Sequence, residues 1–176
     1  MDHRDHVRLI ARGVPPGGAW ADLGAGEGAF TLALRDVAGP DVVIYAVDKD
    51  GGRLDRQRRA FDAMFPGSNV RMVTADFGEP LSLPPLDGVI MANSLHFFRD
   101  KLPVLRQVRA YLKDGGRLIL VEYDVDSGNI WVPHPLSFET FRRLAPSAGF
   151  SMPTLLATQP SRFLRQMYAA IAMRDM

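Results

Sequence analysis

The stretch that decides the fold is Ala21-Asp22-Leu23-Gly24-Ala25-Gly26-Glu27-Gly28-Ala29-Phe30, which joins a short apolar segment to a longer amphipathic one. Glycines at a strand-to-helix junction allow a tight turn and let a ligand approach the backbone, while the helix start offers free N–H groups. The spacing is not the dinucleotide pattern G-x-G-x-x-G, because position 29 is Ala, and no Gly-Lys-Ser/Thr of a P-loop follows. A carboxylate before the glycines would repel a pyrophosphate, so Asp22 suits a ligand that is cationic near that point.

The length and composition of the chain exclude several classes of protein. The 176 residues, 47% of them hydrophobic, predict a single globular domain over residues 1–176. The 21 basic and 20 acidic side chains nearly cancel, which disfavours a nucleic-acid or membrane partner. The absence of cysteine excludes disulfides, cysteine-ligated metals and a cysteine nucleophile. No apolar run is long enough to span a membrane and the N-terminus lacks a signal-peptide core, so we expect a cytoplasmic protein.

Short apolar segments alternate with segments of helical period along most of the chain. The predicted strands are Ala19–Leu23, Val42–Val47, Val70–Thr74, Gly88–Ala92 and Arg117–Tyr123. The predicted helices are Phe30–Val37, Leu54–Phe65, Leu102–Leu112 and Phe138–Ala145, the third ended by Gly115-Gly116. Strands that alternate with helices form a parallel sheet with helices on both faces. The pattern therefore predicts a doubly wound α/β fold.

The C-terminal part of the chain has a different pattern. Two strand-like segments, Thr154–Thr158 and Phe163–Ala170, are separated by Gln159-Pro160-Ser161. Such a short connection predicts an antiparallel hairpin that closes one edge of the sheet. The expected sheet is thus mostly parallel and seven-stranded.

The glycine loop resembles the first motif, D/E-x-G-x-G-x-G, of class I S-adenosylmethionine-dependent methyltransferases. Other segments resemble the same family in the same order, and nearly the whole chain is covered: Asp48 after the second strand, Asp76-Phe77 after the third, Asn93-Ser94-Leu95-His96-Phe97-Phe98 after the fourth, Lys113-Asp114-Gly115-Gly116-Arg117-Leu118 before the fifth, and Ala148-Gly149-Phe150 before the hairpin. Each motif alone is common, but their order and spacing are specific. The resemblance implies a Rossmann-like methyltransferase fold.

The resemblance also implies a cofactor site for S-adenosyl-L-methionine. In the family, the loop wraps the methionine part, the acid at Asp48 binds the ribose hydroxyls, and Asp76 with Phe77 contacts the adenine. The implied cofactor-binding residues are Asp22, Gly24, Ala25, Gly26, Gly28, Asp48, Lys49, Asp76, Phe77 and Asn93. Lys49 departs from the family, which usually has an apolar residue there, and its aliphatic stem would cover the adenine ring instead.

Two residues after the fourth strand are candidates for catalysis. His96 is placed where the methyl acceptor should lie, and histidine is the side chain that titrates nearest neutral pH, so it is the candidate general base. Asn93 is the second candidate. Both have structural alternatives, as a histidine that packs over the cofactor and as an asparagine that satisfies backbone groups. Asp124 and Asp126 lack a matching third ligand, so we expect no metal site.

These residues predict methyl transfer to an O or N acceptor, a small molecule in the first instance. A protein acceptor or a partner subunit is also compatible with the sequence, and the oligomeric state is left open. The alternative from another class is a non-catalytic S-adenosylmethionine-binding subunit or regulator that acts with a partner protein. Aminopropyl transfer on the same fold is a third, weaker hypothesis, because no acidic cluster for a polyamine is evident.

Overall fold

The computed structural model describes residues 1–161 and 163–175, and within them seven strands form one sheet. The strands are β1 (Ala19–Leu23), β2 (Val43–Asp48), β3 (Val70–Thr74), β4 (Leu86–Ala92), β5 (Leu112–Tyr123), β6 (Thr154–Pro160) and β7 (Gln166–Met173), in the order β3-β2-β1-β4-β5-β7-β6. Strands β1 to β5 are parallel, while β7 runs antiparallel to β5 and β6 runs antiparallel to β7. The predicted doubly wound α/β fold with a C-terminal hairpin is confirmed.

Five α-helices connect or flank the strands. They are α1 (His3–Ile10), α2 (Ala29–Ala38), α3 (Gly51–Met64), α4 (Leu102–Tyr111) and α5 (Phe138–Leu144), with short 3-10 helices at Leu95–Phe97 and Ala145–Ala148. In the part of the chain that the structure describes, none of the helices has the length and apolarity needed to cross a bilayer.

The sheet separates two hydrophobic cores, and β5 contributes to both because successive side chains point to opposite faces. Leu118 and Leu120 pack in the core that includes α4 and α5, whereas Ile119 and Val121 pack in the core that includes α1 and α2. All four side chains are fully buried, and each contributes roughly 1.5–3 kcal/mol to folding. Covered on both faces, the sheet leaves its carboxyl edge as the place where polar groups can converge.

Two helix starts differ from the prediction, and both depend on an aspartate cap. Helix α1, which the sequence analysis left out, begins with a capping box in which Asp5 N donates to Asp2 Oδ1 and Asp2 N donates to Asp5 Oδ2. Helix α3 begins at Gly51 rather than Leu54 because the Asp50 carboxylate accepts hydrogen bonds from the first turn. Caps of this kind are typically worth about 1 kcal/mol.

The junction before β5 and the final hairpin also differ from the prediction. Helix α4 ends at Tyr111 without a glycine stop, because Leu112 already pairs with Leu86 of β4. In the hairpin, β6 extends to Pro160 and β7 begins only at Gln166, so the predicted turn at residues 159–161 was wrong. Ser161 N donates to Arg165 O, and Arg165 has a φ of 59°, which closes a longer turn.

Candidate functional site

The loops after β1, β2, β3, β4 and β5 meet at the carboxyl edge of the sheet. The strand order reverses direction between β1 and β4, and in open α/β sheets a ligand crevice forms at such a reversal. A cavity of about 450 Å³ lies there. Its lining comes from the ends of four strands and consists of Gly24, Asp48, Lys49, Asp50, Arg53, Ala75, Asp76, Phe77, Asn93, Ser94, Phe97 and Phe98. Six of the ten predicted cofactor residues are among these; Asp22, Ala25, Gly26 and Gly28 are not.

The glycine loop between β1 and α2 needs glycine at two positions for contact reasons as well as for backbone conformation. Gly24 has a φ of 80°, and an added Cβ would lie 2.5 Å from Ser94 Cβ. Gly28 has a φ of 90°, and its added Cβ would lie 2.4 Å from Gln57 Cγ. Both substitutions would be strained, because L-residues rarely adopt these angles and real Cβ contacts are not so short. Glycine is therefore required at position 24 by packing against the loop after β4, and at position 28 by packing against α3.

Asp22 lies beneath the glycine loop and not in the cavity wall. Its side chain is 1% exposed, and its Oδ2 accepts a hydrogen bond of 2.6 Å from Thr31 Oγ1 of α2. Burial raises the pKa of Asp22 to about 7; the Thr31 bond opposes that shift and the negative charge of Asp48 adds to it. A cation bound nearby would therefore be stabilised by an acid that is already poised to ionise near neutral pH.

Asp48 connects the end of β2 to the glycine loop. Its Oδ2 accepts from Gly26 N at 2.8 Å, and its Oδ1 accepts from Asp50 N at 2.9 Å. The carboxylate is buried yet lines the cavity, so it is held rigidly with its remaining acceptor capacity available to a ligand. Lys49, the next residue, is exposed at the cavity edge.

The loop after β3 supplies one acidic and one aromatic wall. Asp76 is exposed, and its Oδ1 accepts from Gly78 N at 2.8 Å, which fixes the turn. Phe77 is half-buried and packs against Phe98 with ring centroids 5.2 Å apart. This pair of rings joins the loop after β3 to the loop after β4, on the cavity side of both.

Asn93 has two unusual features at the end of β4. Its φ of 54° lies in the left-handed region, which asparagine tolerates better than most residues. Its side-chain Oδ1 is buried and has no hydrogen-bond partner among residues 1–161 and 163–175. A buried unpaired acceptor costs free energy, so this oxygen in the wall of the cavity is suited to a donor from a ligand.

His96 is paired with Glu122 of β5, a pairing that the sequence did not predict. Its side chain is 3% exposed, and its Nδ1 lies 2.9 Å from Glu122 Oε2 and 3.1 Å from Glu122 Oε1. His96 N also donates to Glu122 Oε1 at 3.1 Å. Glu122 is fully buried on β5. The signal in the sequence was a single glutamate inside the otherwise apolar strand 118–123.

The His96–Glu122 pair lies next to the cavity but behind its wall. The ring of Phe97, which lines the cavity, is 4.4 Å from the imidazole, and that of Tyr123 is 6.4 Å from it. His134 N donates to His96 O at 3.0 Å, so the loop after β5 returns to this point. The expectation that His96 borders the site is consistent with this position, although its own side chain is covered.

A buried lysine accompanies the pair and was also missed. Lys101 precedes α4, is nearly buried, and donates from Nζ to Phe98 O at 2.8 Å. Burial lowers the pKa of Lys101, while the negative charges of Glu122, Asp100 and Asp126 oppose that shift. Lys101 lies just before the first residue of α4, outside the helical repeat of apolar residues, so the sequence did not predict that it is buried.

The two acids after β5 have structural partners. Asp124 Oδ1 accepts from Phe138 N at 2.9 Å, and Asp126 accepts from both the backbone N and the Oγ of Ser137 at 3.0 and 2.8 Å. They therefore attach the loop to the start of α5. Across residues 1–161 and 163–175, no cluster of three or more histidine or acidic side chains is arranged to hold a metal ion.

Comparisons with known proteins extend this picture. The sequence pattern of the family described as "Methyltransferase domain" matches residues 21–118, more than half of the chain. A relative from Thermoplasma volcanium, named for cobalt-precorrin-6B C(15)-methyltransferase (decarboxylating) activity, is 26% identical over 145 residues, which cover 81% of this chain and 70% of that protein. The chain spans about half the length of several other curated relatives.

Solved structures show the same fold at low sequence identity. The YcgJ protein from Bacillus subtilis superimposes with a TM-score of 0.79 at 14% identity, over 99% of this chain and 100% of that one. A methyltransferase of calicheamicin biosynthesis, crystallised with S-adenosylhomocysteine, gives a TM-score of 0.73 at 20% identity, over 97% of this chain and 53% of that one. Together with the family match, these findings lead to one conclusion: the chain belongs to the S-adenosylmethionine-dependent methyltransferase family, whose cofactor is S-adenosyl-L-methionine.

Proposed function

We propose that the protein transfers a methyl group from S-adenosylmethionine to an oxygen or nitrogen atom of a small molecule. The observation that carries this proposal is the buried His96–Glu122 pair beside the cavity at the carboxyl edge. A cavity of about 450 Å³ is in the size range of small-molecule sites. A carboxylate that accepts from one imidazole nitrogen leaves the other nitrogen able to take a proton. A histidine that only fills space in the core would not need such a carboxylate.

The cavity residues fit the cofactor. The unpaired Asn93 Oδ1 is an acceptor suited to an ammonium or amine donor, and the Asp48 carboxylate is suited to a pair of hydroxyl groups. Gly24 lines the cavity together with Ser94, so the backbone of the glycine loop is part of the cavity wall. Under this proposal Asp22 and the glycine loop bind the methionine part, Asp48 the ribose, and Asp76 with Phe77 the adenine.

The bound cofactor supplies a methyl group attached to a positively charged sulfur. Transfer is favourable once the acceptor atom lies in line with the bond from sulfur to methyl, because the sulfur is a good leaving group. The chain's own residues then have two tasks, orientation of the acceptor and removal of its proton. Glu122 accepts from Nδ1 of His96, which fixes the tautomer with Nε2 unprotonated. His96 Nε2 takes the acceptor's proton, and the Glu122 carboxylate stabilises the resulting imidazolium.

A carbon acceptor is the second candidate. The relative from Thermoplasma volcanium is named for methylation at carbon, and a buried carboxylate-held base also suits removal of a proton beside a carbonyl group. His96-dependent exchange of such a carbon-bound proton for deuterium, without any methylated product from hydroxyl or amine compounds, would favour this candidate over the first.

The test is a methyl-transfer assay with isotope-labelled cofactor and a panel of small hydroxyl and amine compounds. We expect labelled product from the wild-type protein. In His96→Gln the rate of product formation should fall by a factor of about 100 or more. Calorimetry should give S-adenosylhomocysteine affinities within about twofold for the two proteins, since His96 does not line the cavity.

The assay also separates the non-catalytic alternative. Cofactor binding without product from any hydroxyl, amine or carbon compound, and without an effect of His96→Gln in any measurement, would overturn the enzyme proposal in favour of a binding subunit or regulator. Product that is independent of His96 would keep methyl transfer but remove the general base.

A further inference from the structure

The exposed aromatic side chains of this protein are concentrated around His96. Among the large hydrophobic side chains that are exposed in residues 1–161 and 163–175, three are aromatic: Phe97 at 62%, Trp131 at 73% and Phe163 at 48%. Each belongs to a segment that borders the His96–Glu122 pair or its neighbour Tyr123. Exposed rings gathered at one place, rather than scattered, mark a surface that a ligand covers.

Four rings form a connected row across this surface. Phe97 lies 4.4 Å from His96, His96 lies 6.4 Å from Tyr123, and Tyr123 lies 5.8 Å from Phe163, measured between ring centroids. The row begins at the cavity wall, where Phe97 stands, and ends at the β6–β7 turn, which carries Phe163. Both end rings keep about half or more of their surface exposed, so a flat molecule can contact Phe97 and Phe163, while His96 between them is covered.

The third exposed ring is held in place by its loop. Asn129 Oδ1 accepts from Trp131 N and Val132 N, each at 2.9 Å, and Asn129 N donates to Val132 O at 2.9 Å. The loop leaves β5 at Tyr123 and returns to His96 through the hydrogen bond of His134 described above. Trp131 is thus presented to solvent by a closed turn, and not by a free end.

We infer that the methyl acceptor is an aromatic hydroxyl compound whose ring system packs against the aromatic surface formed by Phe97, Tyr123 and Phe163. This inference rests on the proposed function and names the substrate class of that same site. A phenolic hydroxyl has a pKa of about 10, so an imidazole deprotonates it far more readily than an aliphatic alcohol. As the bond from oxygen to methyl forms, the phenolic proton passes to His96 Nε2, and the electron pair of the broken sulfur–methyl bond stays on sulfur.

The experiment compares 2-naphthol with decahydro-2-naphthol, which has the same carbon skeleton and hydroxyl position but puckered, saturated rings and a much less acidic hydroxyl group. Each is titrated by calorimetry into the wild-type protein, with and without saturating S-adenosylhomocysteine. We expect 2-naphthol to bind at least about tenfold more tightly than its saturated counterpart. Phe163→Ala should weaken 2-naphthol binding about threefold to tenfold and leave the saturated ligand nearly unchanged.

The matched control is Met152→Ala, which truncates an exposed hydrophobic side chain just before β6. It should change neither affinity. Equal affinity for the two ligands, or equal effects of Phe163→Ala and Met152→Ala, would overturn the inference. Because the titrations are also run without the cofactor product, a failure of cofactor binding or of methyl transfer would refute the proposed function separately, while the aromatic comparison would still be decided.

Discussion

The two halves of the site are built in different ways. The cofactor half, made of Asp22–Gly28, Asp48 and Asp76, depends on backbone conformation: three glycines with positive φ, and carboxylates that accept from backbone N–H groups. The acceptor half, made of residues 93–98 and 122–137, depends on side chains that are distant in sequence, above all His96 and Glu122, 26 residues apart. Local backbone geometry therefore forms the cofactor half, whereas contacts between distant segments of the chain form the acceptor half.

This difference has a functional consequence. A loop whose geometry is set by glycine and backbone hydrogen bonds keeps its shape when outer side chains change, so the cofactor site is tied to the fold. A pair brought together from β5 and the loop after β4 can keep its chemistry while the aromatic residues around it vary. We therefore expect substitutions in the two halves to separate cofactor affinity from turnover.

The largest effect is expected from Asp48→Ala in the cofactor half. The substitution removes the acceptor of Gly26 N and Asp50 N as well as the proposed ribose contacts. We expect the affinity for S-adenosylhomocysteine, measured by calorimetry, to fall about 100-fold or more. Asp55→Ala, an exposed acid on α3, is the control and should bind normally. A loss of less than about threefold in the Asp48 variant would refute the role of that carboxylate.

The corresponding change in the acceptor half is Glu122→Gln. It keeps the shape of the side chain but removes the charge, and it allows an amide N–H to face Nδ1 of His96, which favours the wrong tautomer. Turnover should fall about 100-fold while cofactor affinity stays within about twofold. Nitrogen NMR of the imidazole should show the tautomer change directly, with His96→Gln used to assign the signal. An unchanged tautomer would contradict this account.

The strands and loop positions of the cofactor half could be predicted from the sequence for the same reason that this half is robust, while the cofactor contacts of its residues stay predictions. Five parallel strands, the glycine loop and Asp48 are read from residues that are adjacent in the chain or end successive strands. The pairing of Glu122 with His96 could not be predicted, because the partner of a lone acid in an apolar strand is not identifiable until β4 and β5 are aligned. The position of the hairpin turn was predicted incorrectly because Arg165 adopts a left-handed backbone conformation, which arginine does not favour.

A smaller effect is expected for two glycines within the loop, compared with each other. Gly28→Ala places a Cβ 2.4 Å from Gln57 Cγ at a φ of 90°, whereas Gly26→Ala has a φ of 56° and open space around the added atom. We expect losses of about 2 and about 1 kcal/mol in the free energy of unfolding, measured with urea. Equal losses would mean that backbone conformation alone, and not the contact with α3, requires glycine at position 28.

The smallest expected effect tests whether the charge beneath the loop is felt by the ligand. Burial raises the pKa of Asp22 to about 7, so at pH 6 the folded protein holds this side chain mainly as the neutral acid and at pH 8 mainly as the anion. A cation bound above it favours the anion. The affinity for S-adenosylmethionine should therefore rise with pH, by up to about tenfold between pH 6 and 8.

S-adenosylhomocysteine is the matched ligand for this measurement, because it has the same amino acid and adenosine groups but a neutral sulfur. The ratio of the two affinities should shift toward S-adenosylmethionine as the pH rises, and Asp22→Asn should make the ratio independent of pH. Calorimetry at pH 6.5 in two buffers of different ionisation enthalpy should detect proton release with the cationic ligand only. A flat ratio in the wild-type protein would mean that Asp22 supports the loop through Thr31 alone, and that the positive sulfur is selected elsewhere in the site.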